Sequence, residues 1–311
     1  MASFGLSVIR ALFGAADVVA PSVAARVAFE LFCRTPDPAR PTRAERVALA
    51  RAGDFMQGAR HHRLTVGRDC IAAHEFRPRS GRWSRTVLVI HGWRSRTEHM
   101  RAIVDGLLQA GARVLSIDLP GHGQSSGRRL NMANAVAAAQ AADLWFGPFE
   151  AIVGHSFGGA VAVNAAVGSV KGVPPVRTSR LVLLAAPSSM PMLFADFGSF
   201  LNLGTRTQTA VARIVERIAG QPLHAYEGGA QLDRDRIETL VLHAADDKEV
   251  SPDHARGYDR AGGHVRLAWV NGLGHRRILA DPGVVVQAVD FAIGEGADRP
   301  LPVRSATPAR S

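Results

Sequence analysis

Cysteine is scarce in this chain: Cys33 and Cys70 are the only two, and neither lies in a metal-ligand spacing or a redox motif. No cysteine-built metal centre is therefore expected, and both residues read as reduced thiols. Long apolar runs are missing as well. Asp17 and Pro21 break the apolar N-terminus, so nothing approaches the roughly 18 uninterrupted apolar residues that span a bilayer. Residues 1–25 have Ala-rich ends like a signal peptide, but no positive charge precedes the apolar part and Arg10 and Asp17 interrupt it. A cytoplasmic location is the expectation. Lysine is nearly absent, with Lys171 and Lys248 alone, so the net charge of +10 comes almost wholly from arginine. Together with abundant alanine this reads as codon usage of a GC-rich genome. The basic residues are scattered, without a stripe interleaved by aromatics, which argues against nucleic acid as a partner and for a solvated basic surface.

What is present is material for one large core: 311 residues, 47% of them hydrophobic. The segment to about Leu49 reads as helices, with Leu6, Ile9 and Phe13 at helical spacing and Ser22 capping a second helix that carries Val23, Val27, Leu31 and Phe32. Pro36, Pro38 and Pro41 then mark a connector. Such an amphipathic stretch either makes peripheral contact with a membrane or partner surface or, as is commoner, packs on the protein's own core.

From Leu64 onward short apolar runs alternate with helical patterns, the signature of a mostly parallel, doubly wound α/β sheet. Cys70 to Phe76 reads as an antiparallel lead-in strand. Thr86–Ile90, Val114–Ile117, Ala151–Val153, Leu181–Leu184, Leu240–Leu242 and Val265–Val270 read as successive strands, nearly continuous in apolarity as strands buried on both faces are. Helices are expected over Glu98–Ala110, Met132–Phe146, Phe157–Val167, Pro252–Ala261 and Pro282–Ile293. Ser188 to Arg236 contains no strand, only aromatic- and methionine-rich sequence followed by a helical pattern. It reads as an insertion at the carboxyl edge of the sheet, where ligands bind in open α/β folds. The expected organisation is an N-terminal helical extension (1–60), an α/β core (61–187 and 237–295), a small helical lid (188–236) and a disordered tail (296–311) rich in Pro, Arg, Ser and Ala.

Chemistry concentrates at Gly154-His155-Ser156-Phe157-Gly158-Gly159, which follows an apolar strand and opens a helical segment. A serine flanked in this way sits on a tight strand-to-helix turn that lifts its hydroxyl clear of the sheet, so Ser156 is a candidate nucleophile. A serine hydroxyl needs a base, and the base needs an anion to fix its tautomer. His275, in the glycine-bearing loop after the last strand, is the candidate base. Asp246 and Asp247 both follow the preceding strand, and only one of two adjacent residues can face His275. The order Ser, Asp, His differs from that of trypsin-like and subtilisin-like proteases.

With His91-Gly92-Trp93 after the first long strand and Asp118-Leu119-Pro120-Gly121-His122-Gly123-Gln124-Ser125 after the next, the chain resembles the α/β-hydrolase superfamily, in its serine esterase and lipase branches, over Thr86 to Ile293. The resemblance implies an α/β-hydrolase fold and a Ser156–His275–Asp247 triad. Asp247 is selected because related acid loops place Val or Ile three residues on, here Val250. It also implies an oxyanion hole built from the backbone N–H groups of Trp93 and Phe157, with no cofactor and no metal. His91, His122 and His155 read as structural residues bracing turns. Two departures are Ala244, where glycine often stands, and the basic pair Arg276-Arg277 directly after His275, read as an attractor for an anionic substrate or as ordinary surface arginines. The expected activity is hydrolysis of a small-molecule carboxylic ester through an acyl-enzyme. A thioesterase, acyltransferase or carbon–carbon hydrolase would use the same triad, and a non-catalytic ligand-binding protein of the same fold is the remaining alternative.

Overall fold

The computed structural model describes residues 4–37 and 43–295. Pro38 and Pro41 and the tail read as disordered, 296–311, lie outside them. In chain order the elements are α1 (Phe4–Val19), α2 (Pro21–Cys33), α3 (Arg43–Arg51), α4 (Gly53–Gln57), β1 (Arg60–Val66), β2 (Asp69–Phe76), β3 (Thr86–Ile90), α5 (Arg101–Gln109), β4 (Arg113–Ile117), α6 (Met132–Phe146), β5 (Phe149–His155), α7 (Phe157–Ala166), β6 (Thr178–Leu184), α8 (Met190–Leu201), α9 (Thr205–Ala219), α10 (Gly228–Asp235), β7 (Glu238–His243), α11 (Pro252–Asp259), β8 (Val265–Trp269), α12 (Gly274–Arg277) and α13 (Pro282–Ala292).

The strands form one eight-stranded sheet in the order β1-β2-β4-β3-β5-β6-β7-β8. The six strands from β4 to β8 in that order run parallel, and β2 is antiparallel to both of its neighbours. The alternation of side chains sorts the two faces. Leu88, Ile90, Ile152, Leu181 and Leu183 pack against α6 and α7, while Val87, Val89, Val153, Val182 and Leu184 pack against α5 and α13. Because both faces are covered, the central strands are nearly continuous in apolarity over Val87–Ile90, Ala151–Val153 and Leu181–Leu184, as the sequence suggested. Helix α6 lies flat on this sheet through Ala135, Ala138, Ala139 and Ala142, and a reciprocal box between Asn131 and Asn134 caps its start.

Two features depart from expectation. β1 was not foreseen: Arg60-His61-His62-Arg63-Leu64-Thr65-Val66 is polar, and Leu64 is its one buried residue because it forms the edge of the sheet. The N-terminal helices and the insertion, read separately, share one core. Phe13, Ala25, Ala28, Phe29 and Cys33 of α1 and α2 pack with Leu201, Leu203 and Val211 of α8, α9 and their connection. Asp17 fastens the two by accepting the Thr207 N–H at 2.7 Å near the start of α9. The far end of α2 is pinned to the loop after β4, where Leu130 N–H donates to the Cys33 carbonyl and Arg129 pairs with Glu30. The helix pair α1–α2 is thereby part of the roof over the carboxyl edge.

Candidate active site

Among the described residues five other than glycine have positive φ. Asn202 and Arg236 end helices, whereas Arg94, Ser156 and Ala185 follow β3, β5 and β6 at the carboxyl edge of the sheet. Such conformations cost on the order of 1–3 kcal/mol and persist only where the surroundings enforce them. At Ser156 (φ 53°, ψ −128°) the enforcement is visible: its N–H donates to the Leu184 carbonyl at 2.8 Å, and its own carbonyl accepts the Gly159 N–H at 2.8 Å.

Two glycines let the neighbouring turns close on this residue. A Cβ on Gly92 would sit 2.8 Å from the Ser156 Cβ, and a Cβ on Gly158 would overlap the carbonyl oxygens of Ile90 and His91. Since those carbonyls belong to the central strand and its turn, they cannot move aside. Gly158→Ala is expected to destabilise the fold by about 2 kcal/mol or more, read as a lowered urea midpoint with an unchanged slope.

The structure brings Ser156, His275 and Asp247 together. His275 Nε2 lies 3.0 Å from Ser156 Oγ, and His275 Nδ1 lies 2.8 Å from Asp247 Oδ2. Asp247 Oδ1 accepts the backbone N–H groups of Glu249 and Val250 at 2.8 and 2.9 Å. Burial would push its carboxyl up, but the bonds from His275, Val250 and Glu249 outweigh that and hold it below the ordinary range. An ionised Asp247 accepts only, so His275 Nδ1 carries the proton and Nε2 is free to accept from the Ser156 hydroxyl. Asp246 points elsewhere and accepts the Gly272 N–H at 2.8 Å. His275 is carried on the single turn α12 rather than in an open loop, and His155 Nε2–H holds that turn by donating to the His275 carbonyl at 2.9 Å.

Trp93 and Phe157 flank Ser156, with their rings edge to face at 5.8 Å. Among the described residues no acceptor is found for either backbone N–H. The turn carrying Trp93 is braced as expected by its histidines. His91 Nδ1–H donates to the Gly92 carbonyl while Nε2 accepts the Leu119 N–H; His122 Nδ1–H donates to the Pro120 carbonyl while Nε2 accepts the Arg94 N–H. One nitrogen donating and one accepting requires a neutral ring, and burial lowers His91 to about 3 and His122 below its usual value.

A cavity of about 780 Å³ opens above Ser156. Its walls include Trp93, Phe157, Leu193 and Phe197, and also Leu31 and Phe32 of α2, which helical periodicity could not have placed here. Phe32 stacks on Phe194 at 4.5 Å and stands 6.3 Å from Trp93. Helical spacing put Phe32 on the apolar side of α2 without deciding what that side meets. The basic pair after His275 is engaged locally: Arg276 forms a two-point ion pair with Glu249, and Arg277 donates to the Gly272 carbonyl. Among the described residues no cluster of three or more His, Cys, Asp or Glu is placed to hold a metal. Likewise, no helix there is long and apolar enough to cross a membrane.

The chain matches the model of the alpha/beta hydrolase family over residues 87–288 and belongs to that family. Among solved structures it is similar to Est1E from Butyrivibrio proteoclasticus with ferulic acid bound (17% identity, TM-score 0.61, 75% of this chain and 98% of that one). It is also similar to the esterase EaEST from Exiguobacterium antarcticum (14%, 0.56, 75% and 100%) and to the thioesterase domain from the curacin biosynthetic pathway (17%, 0.51, 76% and 99%). At these identities the likeness is one of fold, and esterases and a thioesterase share it alike. No curated protein matches the chain.

Proposed function

We propose that the protein is a serine hydrolase of carboxylic esters. The observation that carries this reading is the unbroken hydrogen-bond chain from Ser156 Oγ through His275 to Asp247, at the floor of a cavity walled by Phe32, Trp93, Phe157 and Phe197 together with charged residues such as Arg94 and Glu249. In the reaction Ser156 Oγ attacks the acyl carbon as its proton passes to His275 Nε2, and the carbonyl pair moves onto oxygen. The N–H groups of Trp93 and Phe157 receive that oxyanion; donors of this kind contribute about 3 kcal/mol each. Collapse breaks the C–O bond, and His275 gives its proton to the departing alcohol. Water then repeats the sequence on the acyl-enzyme and releases the acid. Asp247 keeps the ring in the accepting tautomer and stabilises the imidazolium. We place this activity in the cytoplasm, where free thiols such as Cys33 and Cys70 persist.

A fluorophosphonate probe tests the reading alongside p-nitrophenyl esters of graded chain length. The folded wild type is expected to label once, at Ser156, and to turn over at least one ester, with labelling blocked by prior acylation. A folded protein that neither labels nor hydrolyses any ester overturns the proposal.

A further inference from the structure

Helix α1 presents to solvent a surface without charge. Its exposed residues include Val8, Ile9, Leu12, Val18 and Val19, of which the last three are 64, 72 and 83% exposed. Its two charged residues, Arg10 and Asp17, are only half-exposed, and Asp17 is occupied by the Thr207 N–H. Helix α2 continues the surface with Val23, Val27 and Leu31, spaced four apart and therefore on one stripe. The opposite faces of both helices are already spent on the core beneath α8 and α9. A contiguous apolar face of this kind on a folded protein marks a contact surface.

Charge selects the partner. The carboxylates of this face are satisfied, Asp17 by a backbone N–H and Glu30 by Arg129, whereas Arg10, Arg26 and Arg34 have no carboxylate partner among the described residues. An apolar face edged by unpaired arginines repels a second copy of itself and attracts anionic head groups. The stripe also leads somewhere: Leu31 and Arg34 at its end belong to the wall of the Ser156 cavity. We infer that α1 and α2 dock the protein on the surface of an anionic phospholipid bilayer, with the cavity mouth toward the lipid, so that amphiphilic esters reach Ser156 from the membrane. The docking stands on the surface alone, while the delivery of esters rests on the hydrolase reading.

The test is co-sedimentation of the full chain with vesicles of phosphatidylcholine and of phosphatidylcholine mixed with phosphatidylglycerol, at low and high salt. The wild type is expected to bind the anionic vesicles at least about tenfold more tightly than the neutral ones, with salt weakening the difference. Leu12→Glu with Val23→Glu, both on the exposed face and far from the catalytic groups, is expected to abolish binding. Its thermal midpoint and its turnover of a soluble short-chain ester are expected to stay unchanged. Equal binding by the variant, or no binding by the wild type to either vesicle, overturns the docking. So does a wild-type dimer that the variant dissolves without any vesicle association, which would assign the face to a second copy. Vesicle binding by a protein that fails to label with fluorophosphonate would leave the docking standing and remove only the delivery of esters.

Discussion

A Ser156→Ala variant is expected to lose roughly five to six orders of magnitude in kcat toward p-nitrophenyl esters while keeping its KM within a few fold, because the methyl group fills the elbow without a nucleophile. Asp247→Asn is expected to lose roughly four orders, for a different reason. The asparagine amide offers a donor where His275 Nδ1 now finds an acceptor, so the ring turns to the tautomer with its proton on Nε2. That nitrogen can then no longer accept from Ser156 Oγ, although the 3.0 Å geometry is retained. Asp246→Asn is the control. Its carboxylate accepts from the Gly272 N–H, outside the chain of bonds to Ser156, so turnover is expected to stay within about threefold of wild type. Kinetics of the three variants in parallel check the assignment. Retention of activity by Asp247→Asn together with its loss in Asp246→Asn would reverse the roles of the two aspartates.

Ser156, Asp247 and His275 are far apart in sequence, yet each follows a strand of one parallel sheet: β5, β7 and β8. Parallel strands deliver all their carboxyl ends to one edge, which is why the strand pattern pointed to a serine, an aspartate and a histidine meeting there, although choosing Asp247 over Asp246 took the family resemblance. α6 was foreseen over its full span, Met132–Phe146, from its apolar helical pattern, and the structure adds that Asn131 caps its start and Gly147 follows its end. β1 lacked any such signal. A strand at the edge of the sheet buries one residue, and polar side chains at the other positions look like loop.

The roof was the least legible part. Helical spacing grouped Phe13 with Leu6 and Ile9, and Phe32 with Val23, Val27 and Leu31, without deciding what those faces meet. Phe13 and Phe32 pack inward while Ile9, Val23, Val27 and Leu31 face outward, and the surface that covers Phe13 and Phe29 comes from an insertion more than 150 residues away in the chain. Two amphipathic pieces that are ambiguous separately become one layer when each covers the other. That joining also leaves Val8, Leu12, Val23 and Val27 outward, since a helix can bury only one side against a single neighbouring layer.

Acid is expected to unfold this protein well before its carboxylates titrate. Burial lowers His91 to about 3 and His155 to about 4, with the nearby His275 also disfavouring charge on His155, and it lowers His122, His243 and His254 as well. In the unfolded chain each of these rings titrates near 6.5, so below that pH the unfolded state binds protons that the folded state refuses, and stability falls as pH falls. His91 and His155 alone are expected to remove about 1 kcal/mol each between pH 7 and 5.5, a large share of the roughly 5–15 kcal/mol that holds a domain together. The carboxylates act later. Glu75 is buried; Arg77, Arg113 and His62 overcome that burial and hold it at about 2, so its contribution, complete above the ordinary 4.5, is lost only as pH falls from there toward 2. Urea midpoints measured at pH 7.5, 6.5 and 5.5 (on the order of one unit apart across the His range) are expected to fall slightly over the first step and steeply through the second. A midpoint that stays flat across all three would show that the buried histidines gain their protons without unfolding the chain, and would remove the requirement that the His91 and His122 rings stay neutral to hold the Gly92 to Arg94 turn.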